Sequence, residues 1–278
     1  MKCVRALSAV VLVAASSAAP MADARAAEPL RAWDTAAVRP KGSGSIGLFA
    51  PLRISAKEGL ELETHPLFFL VASPNVNLRV RLVDDGRLRL TGEYGLSVPT
   101  VAMRLTQGTL FPSWDTSSRR VGWFVVPSVG AALSYGTNHV ATVRLDTAFG
   151  IGVGPNDATP LDTVAPLELA FAPALNGFRT RGGLAYDFPI TTWLRGRVSF
   201  DAYYVGRAPD PPKSPFTFAT SATLDVRVTA RTRLTLGAVW YDHDQRRTVV
   251  RTRPDGFAER VGVRSDDVYP TGDFVWTW

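Results

Sequence analysis

The chain has 278 residues, 46% of them hydrophobic and 20% charged, with 23 glycines, 20 prolines and a formal net charge of +6. That composition excludes a disordered acidic tail, a collagen and a helical membrane protein, and the mild, dispersed positive charge argues against a nucleic-acid partner. The single cysteine, Cys3, rules out an internal disulfide or a cysteine metal site. In chain order, Lys2 and Arg5 precede an apolar stretch from Ala6 to Ala15 and the small-x-small sites Ala22-Asp23-Ala24 and Ala24-Arg25-Ala26. Residues 1–26 therefore read as a cleaved secretory signal peptide, too short in its apolar core for the roughly 20 residues of a spanning helix. Cys3 precedes that core instead of following it, so the lipoprotein pattern is absent. Residues 27–44 show no strand alternation and are expected to form a tether or a short plug carrying Trp33, the tether being the simpler reading.

From Ser45 to the end, apolar and polar residues alternate with period two. Leu88, Leu90, Gly92, Tyr94 and Leu96 oppose Arg87, Arg89, Thr91, Glu93 and Gly95, and the same dyad runs through 76–82, 178–188, 194–204 and 216–229. Segments of roughly ten residues, the length of a tilted bilayer-crossing strand, start near Ser45, Gly59, Val76, Arg87, Val121, His139, Thr163, Phe178, Thr192, Pro215, Thr232 and Asp267. A soluble sandwich alternates too. Aromatic residues at segment ends, among them Tyr186, Phe188, Trp193, Tyr203, Tyr204, Trp240 and Tyr241, together with the leader and the lack of cysteine, favour a barrel in lipid. The expected fold is all-β, a transmembrane antiparallel up-and-down β-barrel of about 12 strands (about 10 to 14) over residues 45–278.

Turn chemistry then sets register. Asp84-Asp85-Gly86 and Pro254-Asp255-Gly256 fit three-residue loops with glycine in the left-handed position. They place Arg81 opposite Arg89, and in a long terminal hairpin Leu236 opposite Phe274 and His243 opposite Asp267, with residues 242–267 projecting beyond the membrane. A five-residue turn over 189–193 sets Asp187 opposite Arg195 and Arg181 opposite Asp201. Counting strands back from Trp278 puts the long stretch 106–120 on the periplasmic side and the loop 206–214 outside.

The last residues, Asp273-Phe274-Val275-Trp276-Thr277-Trp278, alternate up to an aromatic terminus. This resembles the C-terminal strand of bacterial outer-membrane β-barrel proteins. The resemblance implies that Phe274, Trp276 and Trp278 form a signal read by the barrel-assembly machinery, with outer-membrane lipid and lipopolysaccharide as surroundings.

For function, the inward face collects arginines against a nearly equal set of carboxylates, and the pairs Asp187 with Arg195 and Arg181 with Asp201 neutralise one another. Arg79, Arg81, Arg87 and Arg89 gather at one hairpin. They are either compensated by Glu61 and Glu63 or form an anion-attracting ring of the kind used in selective pores. At the rim, Asp242, His243, Asp244, Asp266 and Asp267 are faintly similar to the Asp-His site of omptin-type outer-membrane proteases, though the second acidic pair is not evident. No metal-spaced cluster, nucleotide loop or nucleophile elbow is present, and no cofactor is expected. The sequence reads as a non-enzymatic narrow channel, passing small solutes or ions, or as a structural membrane component. The alternatives are a rim hydrolase and a soluble secreted β-protein.

Overall fold

In a computed structural model of the chain, the described residues are 30, 32–70, 72–107, 120–156, 165–206 and 214–278, with side chains also undescribed at 245–249 and 260–262. The expected signal peptide and the cores of the segments 106–120 and 206–214 lie outside them. The strands are β1 (Gly44–Gly47), β2 (Leu52–Lys57), β3 (Leu60–Thr64), β4 (Asn75–Asp84), β5 (Leu88–Ser97), β6 (Trp123–Tyr135), β7 (Val140–Phe149), β8 (Ile151–Val153), β9 (Phe178–Pro189), β10 (Leu194–Val205), β11 (Phe216–Arg227), β12 (Thr232–Thr252) and β13 (Ala258–Thr277). Three helices interrupt them: α1 (Pro66–Leu70), α2 (Thr100–Thr106) and α3 (Ala165–Asn176).

Every strand pair is antiparallel, and the ring closes where β1 meets β13 through Ser45 opposite Thr277 and Ile46 opposite Trp276. Twelve strands make a closed barrel. The short β8 stands outside the ring, paired only with the start of β6. The expected number is thus found, but one expected strand is wrong and one was missed. The segment near Thr163 is not a strand; its described part is α3, while β2 falls between the expected starts at Ser45 and Gly59. Removing the false strand also corrects the orientation count. The connection from β5 to β6, which contains 106–120, lies at the same end as the long β12–β13 hairpin, and the tight turns cluster at the other end beside Trp278.

The barrel is inside-out relative to a soluble protein. Large apolar side chains such as Leu145 (59% exposed), Val268 (58%) and Leu184 (57%) cover the outside. Arg79 (1%), Glu61 (0%) and Asp187 (0%) are among the most buried side chains. A soluble monomer rarely shows an apolar patch beyond about 600 Å², and here the apolar face runs round the ring. Aromatic rings pack against one another along this face at a tilt, as in Tyr204 with Phe216 (5.2 Å) and Trp276 with Trp278 (5.0 Å). Tyr203 and Tyr241 are exceptions to the expected aromatic belt: strand parity turns them into the lumen, where they pack against buried Leu169, Ala172 and Val205.

That packing places α3 in the barrel mouth at the end holding the long hairpin. Its Phe171 and Ala174 join Met103 of α2 and the lumen-facing Phe124, Val126 and Ala148 in one apolar cluster. Arg179 of β9 donates to the Leu169 carbonyl at 2.9 Å, anchoring the helix to the wall. Among the described residues no helix is long and apolar enough to cross a membrane; the strands have that span.

Candidate functional site

In the opposite half of the barrel, the described part of residues 30–43 is hydrogen-bonded by lumen-facing side chains of the wall. Strands on every side of the ring reach it. Arg195 of β10 donates to the Leu30 carbonyl at 3.3 Å, and Arg197 to that of Trp33. Arg79 of β4 donates to the Thr35 carbonyl, Thr91 of β5 to that of Ala36, and Ser55 of β2 to that of Arg39 at 2.7 Å. The Ala36 amide donates to Ser134 Oγ of β6 at 2.8 Å. Only a segment within the ring can meet all of these strands. Its unpaired main chain needs partners, and lumen side chains supply them in place of a strand ladder.

At the centre of this segment stands Asp34, in the left-handed region at φ 54. Its carboxylate accepts hydrogen bonds from Arg144 of β7 at 3.0 Å and Arg53 of β2 at 3.2 Å, and lies 3.5 Å from Arg197 of β10. Burial alone would raise the Asp34 carboxyl, but Arg144, Arg197 and Arg53 hold it well below the usual carboxylate range. The neighbouring Trp33 ring is covered by guanidiniums, those of Arg233 at 4.0 Å, Arg39 at 4.7 Å and Arg53 at 5.4 Å from its centroid. Cation–π contacts of this kind strengthen once water is excluded.

Each arginine also has a carboxylate on the wall: Arg53 with Glu63 (2.7 Å), Arg79 with Glu61 (2.6 Å) and Glu93 (3.2 Å), Arg197 with Asp187 (3.1 Å), and Arg233 with Asp225 (3.1 Å). The arginines expected to share one face are thereby separated. Arg79 is buried among carboxylates, Arg81 pairs with Glu58 and Asp84, Arg89 reaches Asp84 at 3.5 Å, and Arg87 sits exposed in the turn. Arg81 faces Thr91 and not Arg89, because the turn sits further along the chain than expected, with Asp84 itself opposite Arg89; a bulge between Arg81 and Val83 makes up only one residue of the difference. Both turn glycines do adopt positive φ, 87° at Gly86 and 84° at Gly256.

The expected lumen pairs form, in a different register. Arg197, not Arg195, lies directly opposite Asp187, and Gly183 opposite Asp201, because the β9–β10 turn sits one residue further along the chain. Side chains then meet on the diagonal: Arg195 is 3.8 Å from Asp187, and Arg181 donates to Asp201 at 2.8 Å. The rim residues are gathered too. Asp242 faces Asp266, but His243 faces Ser265 instead of Asp267, because an irregularity between Asp244 and Thr248 places extra residues in β12; Leu236 likewise faces Gly272, not Phe274. His243 Nδ1 still lies 3.7 Å from Asp267. Asp242 is engaged by Arg264 at 2.7 Å and Asp244 by the Ser214 amide at 2.8 Å. Phe274, Trp276 and Trp278 point outward together.

Sequence reasoning missed Asp34, Arg53 and Arg233 as members of the site and named Trp33 only as part of a short plug. Parity marks Arg53 and Arg233 as inward once β2 is recognised, but nothing in the pattern of 27–44 marks Asp34. Two solved structures are similar to this chain in fold. Outer-membrane expressed OmpT of Vibrio cholerae is 8% identical with a TM-score of 0.43, the match covering 82% of this chain and 64% of that one. In-vitro folded OmpT, an outer membrane protein of Vibrio cholerae, is 10% identical with a TM-score of 0.37, covering 84% and 64%. The chain thus spans less than two thirds of the length of either. No protein-family model and no curated protein matches it.

Proposed function

We propose that the chain is a bacterial outer-membrane β-barrel closed at rest, a structural membrane component whose lumen is filled by its own N-terminal segment. The observation that carries this is Asp34, held by arginines of three separate strands across the ring. Such a carboxylate cross-links the wall through the lumen and leaves little room for solute. At the other mouth α3 adds an apolar obstruction. The continuous apolar outer face supports a lipid environment, with lipopolysaccharide at the outer leaflet. The outward Phe274, Trp276 and Trp278 fit the role of an assembly signal. Against an enzymatic rim stands the engagement of Asp242 and Asp244 by local partners.

The test is single-channel recording of the detergent-refolded chain from Ala27 onward in a planar bilayer. Protein whose electrophoretic mobility shifts on heating, and which is therefore folded, is expected to give no steady conductance. Stable steps from the unaltered chain would sink the closed reading and favour a narrow channel.

A further inference from the structure

Three neighbouring strands are too short to cross a membrane. β1, β2 and β3 have four, six and five residues, whereas β9, β10 and β11 have twelve each. At about 3.3 Å per residue and a tilt near 40°, twelve residues rise roughly 30 Å and five only roughly 13 Å, against an apolar band of about 25 Å. The shortfall lies at the end that carries the helices, because β1 begins beside the C-terminus, where Gly44 and Trp278 exchange backbone hydrogen bonds. The ladder from β1 to β13 ends at Leu48, whose amide donates to the Phe274 carbonyl at 3.3 Å. The next two amides, of Phe49 and Ala50, donate instead to the Asp273 carboxylate at 3.0 and 2.6 Å, and Pro51 follows. Above this level β13 still pairs with β12, as far as Asp242 opposite Asp266 and beyond, while no described strand pairs with its other edge. Strand alternation turns the main chain of Phe274, and therefore of Gly272, Pro270 and Val268, toward that unpaired edge. Pro270 lacks the N–H that would point there, which suits an edge position.

The rim of this low wall is apolar. Leu48 (62% exposed) and Phe49 stand on it, with Phe69 and Leu70 (80% exposed) of α1, and neither 48–51 nor 66–74 contains a charged residue. The connection 206–214, between two full-length strands at the same end of the barrel, carries Arg207, Asp210 and Lys213. An apolar rim of this size is a liability in water, but roughly half-way up the apolar band it meets hydrocarbon and continues the lipid-facing surface of the barrel.

We propose that the low wall of β1, β2 and β3 is a side opening in the outer-leaflet half of the barrel, and that acyl chains of the surrounding lipid cross its rim to reach Tyr269 and Thr271. Strand parity turns both residues inward, on the same side as buried Val275, and the Tyr269 ring packs 5.9 Å from that of Tyr241. Hydrocarbon chains are then the ligand class that the upper lumen meets. The proposal rests on the outer-membrane reading for its lipid surroundings, and it leaves the half of the barrel that holds residues 30–43 closed.

The experiment uses the unaltered chain from Ala27 onward, refolded into phosphatidylcholine vesicles that contain phosphatidylcholine with a diazirine in mid-chain. After irradiation, adducts are mapped to residues by mass spectrometry. Outward Val268 and Leu184 are expected to be labelled, and Tyr269 and Thr271 at roughly the yield of Val268, while inward Tyr203 and Ser221, behind full-height walls, stay unlabelled. Labelling of Val268 and Leu184 without Tyr269 and Thr271 overturns the side opening and means that protein covers the β13 edge. Equal labelling of Tyr203 and Ser221 overturns it too, since the lumen would then admit lipid from any side. Absence of adducts on Val268 and Leu184 removes the lipid surroundings, and the opening with them. The closed reading fails separately, by conductance of the unaltered chain.

Discussion

At the scale of single residues, the barrel interior depends on paired charges that it cannot leave unpaired. Arg79 and Glu61 are both fully enclosed and bond at 2.6 Å. Deleting one partner of such a pair strands the other in a poorly solvated place, whereas replacing both with apolar groups of similar volume is far better tolerated. Arg79→Met is therefore expected to destabilise the folded barrel by about 3 kcal/mol, and the double replacement Arg79→Met/Glu61→Leu by much less, both read from urea unfolding in detergent. Asp34 gives a pH counterpart. Its folded-state value is depressed, so its stabilisation is present above the ordinary carboxylate value of about 3.9 and is lost only as pH falls through the folded value, well below that. The unfolding midpoints of the unaltered chain and Asp34→Asn should differ by a constant amount from pH 8 to pH 5, and converge only in stronger acid. Convergence near pH 6 would mean that Asp34 is not held by its arginines. Which residues face inward was legible from parity alone, as for Arg79, Glu93, Arg144, Asp187 and Arg197. Asp34 was not, because its partners lie on β2, β7 and β10 and meet only once the ring has closed.

Individual elements show where the period-two reading breaks down. In the segment Ala165–Asn176, Leu167, Leu169, Phe171 and Pro173 alternate with other residues as a strand would, yet it folds as α3. The helical signals were present but quieter: Pro166 just inside the start, alanine and leucine throughout, and Gly177 just past the end. Gly177 has φ 88 and terminates the helix in the left-handed conformation that glycine adopts without strain. A β-carbon there would meet nothing within 4 Å, so the penalty for adding one is conformational and not steric. Gly177→Ala is expected to lose about 1 kcal/mol, and Gly177→Asn less, since asparagine tolerates this backbone better. Equal losses for the two would mean that the position is limited by space. Registers failed for a related reason. A hairpin can be paired from its turn only where the turn is placed correctly and only until the first bulge: a turn lying further along the chain moved Arg81, and extra residues in β12 moved His243, away from their expected partners. No sequence period reports a single inserted residue.

For the molecule as a whole, the two ends of the barrel differ in kind, and that difference fixes how it is expected to sit in the membrane. One end carries the C-terminus and the tight turns before β3, β5, β7, β10 and β12; the other carries the helices, the longer connections and the β12–β13 hairpin. Beyond Asp242, where β11 stops pairing, that hairpin continues alone to the turn at Asp255. At about 3.3 Å per residue it rises roughly 40 Å above the last β11 partner. Bacterial barrels keep short turns in the periplasm and long loops outside, so Asp255 should face the medium and Thr137, in the turn after β6, the periplasm. A false strand near Thr163 reverses this assignment for everything before it, because each added crossing exchanges the two sides. Single cysteines test the orientation directly. With Cys3 replaced by serine, Asp255→Cys should react with a membrane-impermeant maleimide on intact cells, while Thr137→Cys should react only after the outer membrane is permeabilised. Both residues are exposed, so access to solvent does not separate them. Labelling of Thr137→Cys on intact cells would invert the barrel and place residues 30–43 at the outer mouth. Equal labelling of both positions would mean either a lumen open to the reagent, contradicting the closed reading, or a barrel that is not inserted.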